Sequence, residues 1–193
     1  MNDPKMPVPT FGVLILAGGR SSRMGTDKAG LPFRGRTLLN HMRALAGRAG
    51  AAVVLTGGGP RADIPDPVSD AGPAAGLCGL SDYVAKRKTP ERWAAVPVDM
   101  PRLETGLLRR LVAGPRAAFI RDHPLPLALT VDDAATAVLE QVKERLLAGE
   151  SMAVWHLLDL LGAAALDPAP DELPQLINAN TPQEWRRVLQ EEK

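Results

Sequence analysis

The stretch Leu16-Ala17-Gly18-Gly19-Arg20-Ser21-Ser22-Arg23-Met24-Gly25-Thr26-Asp27-Lys28 carries the clearest chemistry in the chain. Glycines that follow a strand let main-chain N–H groups approach an anion closely. Arg20 and Arg23 add forked donors, and Lys28 adds a mobile point charge. Together they suit a di- or triphosphate. The loop is not a dinucleotide fingerprint, because GxGxxG requires glycine where Arg20 stands. Nor is it a Walker A loop, because Lys28 lies between Asp27 and Ala29. A flexible surface loop would explain the glycines, but not three cations among them. From Arg20 to Arg48 seven basic residues stand against one acidic residue, Asp27. A solvated basic face would also show that excess; the adjoining glycines favour a polyanion site.

Asp99 follows a predicted strand and is flanked by Pro97 and Met100-Pro101. A carboxylate there suits Mg²⁺, which prefers one or two carboxylates plus phosphate oxygens. The competing role is a helix N-cap for the segment starting near Leu103. Asn178 and Asn180 follow Leu176-Ile177 and can donate and accept without a charge, which suits a neutral ring or a ribose. A turn before the next helix would use the same residues. His41 and His156 fall on predicted helices and read as structural or surface groups. Cys78 reads as a small packing residue. Trp93, Trp155 and Trp185 read as core.

These residues need a scaffold, and the apolar pattern supplies one. Short buried strands are expected at Phe11–Leu16, Ala52–Leu55, Trp93–Val98 and Ala117–Ile120. Helices are expected at Thr37–Arg48, Ala75–Lys86, Glu104–Val112 and Asp133–Leu147. Leu125–Thr130 is strand-like, but Pro126 argues for an edge position. Ser151 is expected to cap a helix running to Leu161. Thr181-Pro182-Gln183-Glu184 is a helix start with a capping box. The alternation of strands and helices predicts an α/β fold with a mostly parallel sheet covered by helices on both faces. Ligands of such sheets sit at the carboxyl ends of the strands, so the loops after Leu16, Leu55 and Val98 should share one edge.

The 193 residues fit one domain, 1–193, with a Pro-rich, frayed lead-in over residues 1–9. Lys5 and the proline-broken run after it make a poor signal peptide. Hydrophobic residues make up 45%, which is ordinary for a globular chain. Basic and acidic residues number 23 and 22, so bulk charge points to neither nucleic acid nor a membrane surface. No apolar run is long enough to span a bilayer. The single cysteine rules out an internal disulfide and a multi-cysteine zinc site, and fits the cytoplasm.

The pattern LAGGxSxRMGxDK resembles the signature of the nucleotidyltransferases of molybdenum cofactor maturation, in particular the molybdenum cofactor guanylyltransferase family. Gly72-Pro73-Ala74-Ala75-Gly76 is similar to that family's GPLAG, and Val96-Pro97-Val98-Asp99-Met100-Pro101 to its acidic motif. Asp122-His123-Pro124 and Asn178-Ala179-Asn180-Thr181-Pro182 resemble two later motifs. Five matches in order span nearly the whole chain. The resemblance implies a Rossmann-like fold, GTP and molybdopterin or molybdenum cofactor as substrates, and Mg²⁺. It also implies other proteins of cofactor biosynthesis or molybdoenzyme maturation as partners. Gly18 leans towards guanylyl transfer, since cytidylyl relatives more often have alanine there.

Carried over position by position, the resemblance puts Leu16, Ala17, Gly18, Gly19, Lys28, Thr56, Asp66, Gly72 and Asp99 on GTP. It puts Asn178 and Asn180 on molybdopterin, and the metal on Asp99. Lys28, Arg23 and Asp99 become the catalytic set. Asp66 stands six residues before Gly72 and fits the family spacing better than Asp70; Asp63 is a weaker third candidate. Two departures bear on base choice: Thr56 stands where the family commonly has Asn, and Ala74 replaces the Leu of GPLAG. The implied reaction is attack of molybdopterin's terminal phosphate on the α-phosphorus of GTP, with release of pyrophosphate. A cytidylyl or sugar-phosphate nucleotidyltransferase and a non-catalytic nucleotide-binding protein of cofactor insertion remain as alternatives.

Overall fold

The computed structural model describes residues 10–18, 28–58, 62–69, 71–87 and 91–190. The lead-in, Gly19, Arg20, Arg23 and Asp70 lie outside these residues. Six strands form one sheet: β1 (Phe11–Leu16), β4 (Val53–Gly57), β5 (Arg92–Pro97), β6 (Ala117–Ile120), β7 (His123–Thr130) and β8 (Ala164–Leu166). Their spatial order is β4-β1-β5-β7-β6-β8. β1 runs parallel to β4 and β5, and β6 parallel to β8, while β7 is antiparallel to β5 and β6. The sheet is therefore mostly parallel, with one reversed strand. A small hairpin, β2 (Pro32–Phe33) and β3 (Arg36–Thr37), links the glycine loop to α1 (Leu38–Ala49).

Helices cover both faces. β1 is buried along its whole length, and its side chains alternate between two cores. Phe11, Val13 and Ile15 pack with α1 and with α3 (Thr105–Ala113). On that face Trp185 and Val188 of α6 (Pro182–Gln190) complete the layer. Leu14 and Leu16 face α2 (Pro73–Lys86), α4 (Asp133–Leu147) and α5 (Val154–Leu160). The helix termini follow from local chemistry. Thr37 Oγ1 accepts from the Asn40 N–H at the start of α1, and Asp132 accepts from Ala135 at the start of α4. In α6 the Thr181 hydroxyl accepts from the Glu184 N–H, and Glu184 Oε2 accepts from the Thr181 N–H, the expected reciprocal pair.

Three expectations are corrected. β7 is central, between β5 and β6, despite Pro126. Its pairing with β5 begins at Leu127, and its pairing with β6 breaks between Phe119 and Ile120. Pro126 falls in that irregularity, so its missing N–H costs the ladder nothing. Ser151 does not cap α5; Ala153 is the cap residue, because buried Met152 holds the preceding segment extended into the core. Trp155 is not core: it is 44% exposed and meets Phe119 edge-on. Trp93, with no exposed surface, and Trp185 are buried as expected.

Candidate active site

The chain ends of β1, β4 and β5 meet at one edge of the sheet. The Ala17 N–H donates to the Gly57 carbonyl at 2.9 Å, and the Val98 N–H to the Leu16 carbonyl at 3.1 Å. Backbones touch here: a Cβ on Gly58 would lie 2.3 Å from Gly18 Cα, and Gly58 has φ +95°. Only glycine serves at such a position. Gly76 does similar work on α2, where a Cβ would come within 2.8 Å of Leu16 and 3.4 Å of Asp66 Oδ1. The result is a cleft of about 280 Å³.

The cleft brings together Leu16, Ala17, Gly18, Lys28, Asp66, Gly72, Asp99, Asn178 and Asn180 from the sequence reading. It adds Gly57, Gly58, Pro73, Gly76, Pro97, Val98 and Leu125. Most of the additions adjoin motifs already noted. Leu125, just after Asp122-His123-Pro124, carries no chemical signal of its own.

Lys28 is the hub. It opens the short 3₁₀ helix Lys28–Gly30, and its Nζ donates to Asp99 Oδ2 at 2.8 Å and to Asn180 Oδ1 at 2.6 Å. Asp99 does not cap α3, which begins after Glu104. Its carbonyl instead accepts from the Ala179 N–H at 2.9 Å, tying the Asn178–Asn180 segment to the cleft. The Asn180 N–H donates to Glu184 Oε2 at 2.8 Å. That bond, outweighing desolvation and helped by the Thr181 bonds and the Lys28 charge, holds the Glu184 carboxyl below its ordinary range.

Thr56 is not brought into the cleft. It is buried at the end of β4, and its N–H and hydroxyl each donate to Asp63 Oδ2 at 2.8 Å. The Asp63 N–H donates back to the Thr56 hydroxyl. The hydroxyl's one donor is spent on that carboxylate and one of its lone pairs on the backbone N–H, so it has no proton left to donate to a base. Asp63 is thereby a partner of Thr56, not a cleft carboxylate. Partial burial would push the Asp63 carboxyl up, but the Thr56 bonds and the Arg43 guanidinium at 3.6 Å hold it down.

Among the described residues no group of three or more His, Cys, Asp or Glu could hold a metal ion. The donor set is instead hard oxygen from Asp99, with Asp66 in the same cleft. That set fits a Mg²⁺-type cation that takes its remaining oxygens from phosphates and water, and does not fit an all-protein cage. Cys78 is a free, buried thiol whose pKa burial pushes up to about 12, which makes it inert.

A cleft at the carboxyl edge of a mostly parallel sheet, with a lysine, two aspartates and a glycine-lined wall, is suited to a phosphate-bearing ligand. The family described as MobA-like NTP transferase domain matches residues 13–167. A molybdenum cofactor guanylyltransferase from Xanthomonas euvesicatoria pv. vesicatoria is 39% identical over 189 residues, covering 95% of this chain and 96% of that protein. The chain belongs to this MobA-like family of molybdenum cofactor guanylyltransferases, a family of nucleotidyltransferases. Solved structures agree on the fold. Molybdopterin-guanine dinucleotide biosynthesis protein A from Archaeoglobus fulgidus superposes with a TM-score of 0.64 at 19% identity, over 94% of this chain and all of the other. A Mycobacterium tuberculosis protein solved in complex with manganese has a TM-score of 0.53 at 16% identity, over 94% of this chain and 98% of the other. No helix among the described residues is long and apolar enough to cross a membrane.

Proposed function

We propose that this chain, acting as one domain, transfers GMP from GTP to the terminal phosphate of molybdopterin. An oxygen of that phosphate forms a bond to the α-phosphorus of GTP, the bond from the α-phosphorus to the bridging oxygen breaks, and pyrophosphate leaves. The convergence of Lys28, Asp99 and Asn180 in the cleft carries this reading. Such transfers depend on positioning and charge neutralisation. The attacking phosphate is already an anion, so no strong general base is required, and the described residues that line the cleft include no histidine.

The Leu16–Gly18 backbone, continued by Gly19, would cradle the phosphates, with Gly72 opening α2 beside them. Lys28 would neutralise charge on the departing pyrophosphate, joined by Arg23, which lies outside the described residues. Asp66, which lines the cleft, would serve the GTP, and Asn178 and Asn180, which line it too, would serve molybdopterin. Asp99 would hold Mg²⁺, which when bound polarises and neutralises phosphate oxygens. The one cysteine, buried as a thiol, suits work in the reducing cytoplasm, beside the proteins that supply molybdopterin and use the product.

The test is product analysis. The protein is incubated with Mg²⁺, molybdopterin and GTP, CTP or ATP in turn, and the dinucleotide and pyrophosphate are measured. GTP should give the highest kcat/KM. A higher value with CTP would replace the guanylyl assignment by a cytidylyl one, and no product with any nucleotide would leave a binding protein.

A further inference from the structure

The side-chain geometry already gives Asp99 a cation. The Lys28 ammonium lies 2.8 Å from Asp99 Oδ2, with the two side chains 19% and 13% exposed. The ammonium is held from a second direction by Asn180 Oδ1 at 2.6 Å. Asn180 is itself fixed through its N–H by Glu184. The next residue, Trp185, is buried with its ring 5.8 Å from that of Phe33. Lys28 is therefore held on Asp99 and does not wander through solvent.

We infer that Lys28 keeps the cation's place on Asp99 until a nucleoside triphosphate draws it away, so that divalent cation and nucleotide enter the cleft as a pair. This role for Lys28 rests on the proposed function, in which Asp99 is the carboxylate that takes the divalent cation. A cation approaching Asp99 alone must displace a contacting ammonium or share the carboxylate with it. It finds little help, because the described residues hold no cluster of three ligating side chains. A polyphosphate in the same cleft changes both conditions. Its oxygens offer Lys28 another anion, and they complete the cation's shell. The binding of each ligand then favours the other, a coupling that must be reciprocal.

The probe is Mn²⁺, followed by isothermal titration and by its paramagnetic resonance signal, with the full chain. Wild type should bind Mn²⁺ alone weakly, and a non-hydrolysable GTP analogue should raise that affinity. Lys28→Met should bind Mn²⁺ alone at least about tenfold more tightly, since an ion pair at contact distance in a half-buried cleft is removed. Lys28→Gln serves if the methionine variant melts early, and should show the same gain. The gain should survive 1 M KCl, where the Debye length is about 3 Å and distant charges no longer act. Equal Mn²⁺ affinity in wild type and both variants, or a gain that vanishes at high salt, overturns the inference. Asp99→Asn separates this failure from that of the proposed metal role. If Mn²⁺ binding with the GTP analogue is unchanged in Asp99→Asn, Asp99 is not the ligand and both fall. If it is lost while Lys28→Met gains nothing, only the place-holding role falls.

Discussion

Asp99 and Asp63 carry the same carboxylate, yet their surroundings assign them opposite work. Asp63 accepts twice from Thr56 and faces Arg43 through the same oxygen, Oδ2, which holds the end of β4. Asp99 meets Lys28 through one oxygen in the cleft. Asp99→Asn should leave the chain folded, because the swap is almost isosteric and an amide oxygen can still accept from Lys28, and should cut turnover by at least about a hundredfold. Parallel melting and pyrophosphate-release measurements check this; wild-type turnover would remove Asp99 from the reaction. Thr56→Val should behave in the reverse way. It removes the hydroxyl that Asp63 both accepts from and donates to, at a cost of about 1 kcal/mol. Urea unfolding should show that loss, while the ratio of kcat/KM for GTP over CTP stays fixed. The family position suggested a base-reading role for Thr56. Spacing alone placed it at the right strand end but could not reveal which neighbour takes its hydroxyl.

The elements divide by whether their limits are set locally. β1, β6 and α4 start and stop where the apolar runs and the flanking turn residues or caps say. The capping box of α6 is equally local, four consecutive residues reading each other. β7 is different, because rank within a sheet depends on partners far away in sequence. The bulge that accommodates Pro126 is formed with β6 and leaves no trace in the motif itself. β8, three half-buried residues, is too short for any period to show. Arg92 is a further case. A charged residue at the start of a strand argues for an exposed position, yet Arg92, which opens β5, is 7% exposed. Its guanidinium donates to the carbonyls of Leu111, Val112 and Arg116 at 2.8, 3.0 and 2.6 Å. The first two belong to the last turn of α3, where the helix end favours a cation. Arg92→Met should therefore cost about 3 kcal/mol, since buried carbonyls lose their donors. Denaturant unfolding measures this, and a cost below about 1 kcal/mol would mean that water replaces the guanidinium.

At the scale of the whole molecule, two helix layers clamp the sheet, and the cleft sits where their loops converge at its end. The layer holding α1 is tied to the cleft through His41. This imidazole is 5% exposed, and its Nε2–H donates to the Pro101 carbonyl at 3.1 Å, two residues beyond Asp99. Phe33 meets the ring edge-on. Burial lowers the pKa of His41 below 6.5, and the charges of Arg34, Arg48 and Arg36 lower it further, against the opposing bond to Pro101. The folded protein thus keeps His41 neutral where the unfolded chain would protonate it. Between pH 6.5 and the lower folded value, the unfolded state binds the extra proton, so stability falls as pH falls. The slope for one such group is up to about 1.4 kcal/mol per pH unit. Carboxylates act in a lower window: Asp132, held down by the Arg116 guanidinium, and Glu184, held down chiefly by the Asn180 N–H, lose their contributions only under more acidic conditions. His41→Gln keeps a donor that can reach Pro101 and cannot titrate. Urea unfolding at pH 7, 6 and 5 should give a falling stability for wild type and a flatter line for the variant. Parallel lines for the two proteins would assign the acid sensitivity in this range to groups other than His41. A flatter line would make the α1 layer, through His41 and Pro101, the part of the scaffold that ties support of the Asp99 loop to pH.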